Sequence, residues 1–185
     1  MSATTAAPHP RIAELLHELA ESRKELFAVV HALPSSVREL PLPDGQWTVA
    51  QILEHLCIVE DGGGRLISKL MKQAQEAGAF ETDSSSILHS LDGLAIEDTS
   101  RRIEAPPQVH PKGEQTIADS MERLQAIRER LVTALIQGSG LALGTVTHPH
   151  PLFGPLTGYQ WLLVVSMHER RHIAQIRRQY ADSLS

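Results

Sequence analysis

The sequence predicts an all-α protein, a four-helix bundle with a long loop between its second and third helices. Three observations predict it. Four stretches carry apolar residues at spacings of three and four, the period of a helix with one buried face. Hydrophobic residues make up 42% of the 185 but aromatics only 4%, so Leu, Ala, Ile and Val must carry the core, which suits helix packing. From Gly78 to Gly113 the periodicity disappears, and Ser84-Ser85-Ser86, Pro106-Pro107 and Pro111 read as loop. The length fits a single domain, expected over residues 9–185 behind a disordered tail of residues 1–8.

The first helix is expected after Pro10, with Ile12, Leu15, Leu16, Leu19, Leu26 and Val30 on one face, ending at Leu33-Pro34. A connector with Pro41, Pro43 and Asp44-Gly45 follows. The second helix has a defined start: Thr48 with Gln51 three later is a capping box, and Trp47 before it can pack on Ile52 as a hydrophobic staple. Its apolar stripe runs Ile52, His55, Leu56, Val59, Leu66, Leu70. Gly62-Gly63-Gly64 falls inside this helix and costs about 2–3 kcal/mol relative to alanines, which implies a kink or a very close neighbouring backbone. Within the long loop, one short helix is expected around Ile87 to Leu94. The third helix runs from about Thr116 to Gln137 and stops at Gly138-Ser139-Gly140. Pro149, Pro151 and Pro155 make the next stretch extended. The fourth helix opens with a second capping box, Thr157-x-x-Gln160, and runs to about Tyr180.

Charge and composition exclude some classes of function. A net charge of -5 and an isoelectric point near 6.0 do not favour nucleic acid. No apolar run approaches the ~18 residues of a membrane span. Residues 1–8 lack the basic-then-apolar layout of a secretory signal. Cys57 is the only cysteine, so no internal disulfide forms, and a reducing, cytoplasmic location is expected.

The chemistry concentrates in Met167-His168-Glu169-Arg170-Arg171-His172-Ile173-Ala174-Gln175. His168 and His172 are four apart, on one helix face and roughly 6 Å apart along the axis, so both can grip one metal ion. Trp161, Val165 and Ile176 extend that face, which reads as the buried one. H-E-x-x-H is also the zinc-protease pattern, but its downstream third histidine is missing: Arg178 stands there. Two ligands make a poor site, so a third must come from another helix. In a bundle, His55 on the second helix's core stripe can supply it. Glu169 can orient His172 or a bound water, or form a salt bridge on the flank. Gln175 can bond a ligand histidine or the core. His150 and Trp161 can line the mouth of the site.

Trp47-Thr48 followed by Gln51-Ile52-Leu53-Glu54-His55-Leu56 resembles the W-S/T-x-x-x-I-x-x-H-L motif of the DinB-like superfamily. His150-Pro151-Leu152-Phe153-Gly154-Pro155-Leu156-Thr157 is similar to its H-P-x-F-G-x-L-T segment. Gln160-Trp161-Leu162, then His168-Glu169-Arg170-Arg171-His172-Ile173-Ala174-Gln175-Ile176, resembles its E-W-L and H-x-x-R-H-x-x-Q-I, with Gln160 where Glu is common. The resemblance spans nearly the whole chain in order. It implies an up-down-down-up bundle, a homodimer, and His55, His168 and His172 as ligands of one divalent metal, zinc or nickel. It also implies an enzyme acting on a small-molecule substrate. Relatives include bacillithiol S-transferases, mycothiol-dependent maleylpyruvate isomerases and proteins described as metal-dependent hydrolases. The expected function is therefore metal activation of a low-molecular-weight thiol or of water, with thiol S-transfer leading. The rivals are hydrolysis on the same three histidines and a non-catalytic metal-binding or dimerising bundle.

Overall fold

The computed structural model describes residues 7–38, 42, 45–100 and 103–181. The tail expected at residues 1–8, apart from Ala7 and Pro8, lies outside them, as do Pro41, Pro43 and Asp44 of the connector. The protein is mostly helical. Four long helices are α1 (Pro10–Ala32), α3 (Val49–Glu76), α4 (Ile117–Gln137) and α5 (Gly158–Gln179), and a single turn of helix, α2 (Ser35–Arg38), follows α1. No helix among the described residues is long and apolar enough to cross a membrane.

Local chemistry starts each long helix where the sequence signals it. Pro10 occupies the first turn of α1. In α3, Thr48 Oγ1 accepts from the Gln51 N–H (3.3 Å), and Gln51 Oε1 accepts from the Thr48 N–H (2.9 Å). The same reciprocal pair, Thr157 with Gln160, opens α5 at 3.3 and 3.0 Å. Each box satisfies two backbone donors that the first helical turn leaves without partners. α3 continues without interruption through Gly62–Gly64. A Cβ at Gly63 would lie 3.7 Å from Val165 Cγ2, ordinary contact, and one at Gly64 would meet nothing within 4 Å. Close packing of another backbone therefore does not explain these glycines.

α1 packs along α5, and α3 along both α4 and α5. The core has two apolar clusters. One takes Leu15 and Leu19 from α1, Ile67 and Leu70 from α3, Leu131 and Leu135 from α4, and Leu162 and Leu163 from α5. The other takes Leu26 and Val30, Ile52 and Leu56, Leu124 and Ile127, and Ile173 and Ile176 from the same four helices. Between them along each helix stand Ser22, Arg23, Glu60, Arg128 and Glu169, all buried. Arg23 Nε donates to Glu169 (2.7 Å) and its Nη1 to the Leu124 carbonyl (2.6 Å), while Nη2 pairs with Glu60. Arg128 pairs with Glu60 (2.6 Å) and Glu169 (3.2 Å), and donates to the Leu19 carbonyl. Ser22 donates to Glu169. Two guanidinium groups and two carboxylates thus neutralise one another in the middle of the core.

Three expectations need correction. The buried stripe of α5 is Leu162, Ser166, Glu169, Ile173 and Ile176; Trp161, Val165 and His168 stand half-buried beside it. Glu169 is thus a core residue rather than a flank residue, because Arg23 and Arg128 cancel its charge. The stretch around Ile87 to Leu94 is not a helix but turns with one 3-10 turn at Asp92–Leu94. The proline-rich approach to α5 is an antiparallel hairpin, β1 (Thr147–His150) with β2 (Gly154–Thr157). Pro149 faces Pro155 across it. Neither has an N–H, so they fit a pair that exchanges no hydrogen bonds.

The segment from Gly78 to Gly113 packs irregularly, as its lost periodicity implies. Ile87, Leu91 and Ile96 are buried in the first cluster. Arginines hold its carbonyls: Arg11 that of Ser85 (2.9 Å), Arg171 those of Ile96 (3.2 Å) and Asp98, and Arg178 that of Thr99 (3.1 Å). The basic flank of α5 thus fastens the loop.

Candidate metal centre

His55 sits in the second turn of α3, where the capping box fixes the register of the helix. His168 and His172 sit one turn apart on α5, which packs along α3. The three rings converge. His168 Nε2 lies 3.1 Å from His172 Nε2 and 3.4 Å from His55 Nε2, and one nitrogen from each ring falls within 4.8 Å of the other two. The ring planes stand nearly perpendicular for His168 and His172 (90°) and at 65–66° for the pairs with His55. His55 and His172 are buried and His168 is half-buried.

The far nitrogens explain why the near ones converge. His55 Nδ1 bonds the Val109 carbonyl (2.7 Å), and a carbonyl only accepts, so Nδ1 carries the proton. His172 Nδ1 bonds Gln175 Oε1 at 2.8 Å with the same consequence. The protons therefore sit away from the cluster, and the Nε2 lone pairs of His55 and His172 point inward. Burial keeps all three rings neutral. It lowers the pKa of His55; it lowers His168 well below its ordinary value, aided by His172, His55, Arg171 and His150; and it lowers His172 to about 3, aided by His55. Neutral imidazoles whose lone pairs face one another are a ready-made ligand set for a borderline-soft divalent ion.

The other predicted site residues take distinct places. Gln175 bonds a cluster histidine directly. Glu169, between the two histidines in sequence, points into the charged layer, where Ser22, Arg23 and Arg128 hold its carboxylate. His150 and Trp161 meet each other, ring centroids 4.8 Å apart. Cys57 is buried and donates to the Ser120 carbonyl at 3.3 Å, and burial pushes its thiol up to about 11.

Sequence reasoning missed the loop's part in the site. The turn Pro107–Val109 brings a main-chain carbonyl to His55, and a main-chain contact leaves no side-chain signal. Trp47 packs its ring 4.9 Å from His55, with His110 edge-on to Trp47 at 5.8 Å. Nearby, buried Glu54 accepts from the Gly113 N–H at 2.8 Å. The Pro106-Pro107 pair, which fixes the turn, was the available hint.

A sequence model of the DinB superfamily matches residues 18–176. The chain belongs to the DinB superfamily. The matched residues include all three histidines and every long helix in whole or large part. The chain is also 24% identical over 133 residues to the uncharacterized protein YuaE of Bacillus subtilis (strain 168), an alignment covering 71% of this chain and 76% of that one. No solved structure matches it significantly. Within this DinB-superfamily chain, the histidine cluster is the one group of three metal-ligating side chains among the described residues close enough to share an ion.

Proposed function

We propose that residues 9–185 form one up-down-down-up four-helix bundle in which His55, His168 and His172 hold a zinc or nickel ion, and that the protein transfers a small-molecule thiol to an electrophilic carbon. The two core clusters support the topology. α1 and α5 contribute to the first cluster with their N-terminal halves, α3 and α4 with their C-terminal halves. The observation that carries the metal is the inward convergence of the histidine nitrogens with the outer nitrogens of two rings tied back.

His55, His168 and His172 would hold such an ion with three neutral ligands, and the ion would supply a Lewis acid that lowers the pKa of a thiol or water bound to it. The chain's own residues do the rest. The Val109 carbonyl and Gln175 fix the rings of His55 and His172. Half-buried His168 marks the side from which a small molecule reaches the cluster. Glu169 occupies the place of the base in H-E-x-x-H hydrolysis, but Arg23, Arg128 and Ser22 hold its carboxylate. That favours attack by a thiolate, which forms the C–S bond as the carbon's leaving group departs with its electron pair and which needs no protein base once its proton has passed to solvent. In this reading Glu169 acts only by anchoring α5. Cys57, buried and with its thiol held protonated, is not the nucleophile. Two copies pair as a homodimer, which light scattering tests.

The direct experiment has two parts. Protein purified with added zinc or nickel is assayed for bound metal, and then for paired loss of a low-molecular-weight thiol and an electrophile. About one ion per chain is expected, with turnover that disappears in His168→Ala. Failure to retain either metal would sink the metal reading. Retained metal without thiol consumption would leave a metal-binding bundle without this chemistry.

A further inference from the structure

The hairpin before α5 and the start of that helix carry rings at the edge of the first apolar cluster, outside the three-histidine cluster. His150 stacks on Phe153, centroids 4.6 Å apart and planes at 21°. It also lies 4.8 Å from Trp161, and His148 is 6.1 Å from the same indole. Trp161 Nε1 donates to the His148 carbonyl at 3.0 Å, which pins the indole to the hairpin. All four rings are half-buried, neither sealed in the core nor lying on open surface.

This group borders the histidine cluster. Trp161 precedes His168 by seven residues, two turns, which puts both on one face of α5 about 10 Å apart along the axis. One turn beyond Trp161, Val165 faces α3 at Gly63. Gly62 follows His55 by seven residues on the same face of α3, and a Cβ there would meet nothing closer than 4.0 Å. At Gly62 and Gly63 α3 therefore presents no side chain beside Val165, whereas Val59 stands between them and His55.

We propose that His150, Phe153 and Trp161 form the recognition wall for the electrophilic substrate, and that they select one carrying a flat aromatic or conjugated group. The assignment rests on the metal reading above for the reacting end of that substrate. The wall supplies the other end: pinned rings offer stacking faces at little entropic cost, and a flat group stacks where a puckered ring of equal size does not.

A matched pair of inert carboxylates tests it: cinnamate, which is flat, and 3-cyclohexylpropanoate, which is not. Each is titrated into the whole protein, with and without zinc, following heat and the indole N–H resonances. The chain has two tryptophans, and Trp161→Leu identifies which resonance is which. Cinnamate is expected to bind about fivefold tighter and to shift the Trp161 resonance. Trp161→Leu and His150→Ala should bring the two affinities to parity, with metal content unchanged. A preference seen only with zinc supports a wall and ion that share one ligand. A preference that persists without zinc supports the wall even if the metal reading fails. Equal affinities in the wild type, an unmoved Trp161 resonance, or a preference that survives both substitutions would overturn the proposal. The resonance shift is read on wild-type protein, so poor folding of a variant does not block the test.

Discussion

Two polar clusters lie side by side in the core, and α5 builds both from adjacent residues. Glu169 joins Ser22, Arg23, Glu60 and Arg128; His168 and His172 join His55. In the first cluster opposite charges meet, and the guanidinium groups also find the Leu19 and Leu124 carbonyls. In the second, like groups meet: neutral ring nitrogens face one another at 3.1 and 3.4 Å. A cluster that satisfies itself holds helices together. One in which a single imidazole N–H at most can meet two inward lone pairs has room for a further partner. Burial alone does not separate the two cases; the pairing of donors with acceptors does.

The largest expected effect breaks the charged cluster. Glu60→Ala leaves Arg23 and Arg128 buried around a single carboxylate and should cost about 3–5 kcal/mol, read from urea denaturation. Replacing Arg23, Glu60, Arg128 and Glu169 together with apolar residues of similar volume should cost far less, since no charge is stranded. A small loss in Glu60→Ala alone would mean that water reaches this layer.

His168→Ala sharpens the contrast. Without metal it should change stability by only about 1 kcal/mol. Zinc at a hundred times its dissociation constant should raise wild-type stability by about 2.7 kcal/mol and leave the variant unmoved. Thermal unfolding with and without zinc reads both. An equal zinc response in the two proteins would place the ion elsewhere.

Acid tests the histidine cluster. Metal-free folded protein keeps the histidines neutral, His172 down to about 3, whereas the unfolded chain takes up those protons near the ordinary value of 6.5. Below 6.5 the unfolded state therefore binds more protons. Stability, full above 6.5, falls as the pH drops towards 3, by ~1.4 kcal/mol per unit for each ring held neutral. Urea midpoints of chelator-treated protein at pH 7, 6 and 5 measure it, and a flat profile would mean that the rings titrate normally.

These two clusters were unequally legible in the sequence. The histidine pair showed itself because a spacing of four fixes a face, and the Thr48 and Thr157 capping boxes showed themselves because each is local. His55 was reachable because a histidine on an apolar stripe stands out. Arg23, Glu60 and Arg128 did not stand out: a charge on an amphipathic helix reads as solvent-facing, and only partners from three other helices make burial tolerable. That also displaced the predicted stripe of α5 by one residue, towards Trp161, Val165 and His168. The hairpin was missed because its prolines read only as an extended approach to α5, although Pro149 and Pro155 face each other where no N–H is needed.

The smallest expected effect lies on α3, one turn beyond Glu60. Gly64→Ala should raise stability by about 0.5–1 kcal/mol, because the helix gains a better former and the new Cβ meets nothing within 4 Å. A loss instead would show that the glycines keep clear a space that the protein needs.

The long loop's grip on the site has an evolutionary consequence. It is made by main-chain atoms: the Val109 carbonyl at His55 and the Gly113 N–H at Glu54. Every residue type has a carbonyl, so position 109 can change identity while His55 keeps its partner. Gly113 is more constrained, because its φ of +75° favours glycine. The three histidines can thus stay fixed while the segment beside them drifts, and a lineage built on this plan can remodel what surrounds the cluster without rebuilding it.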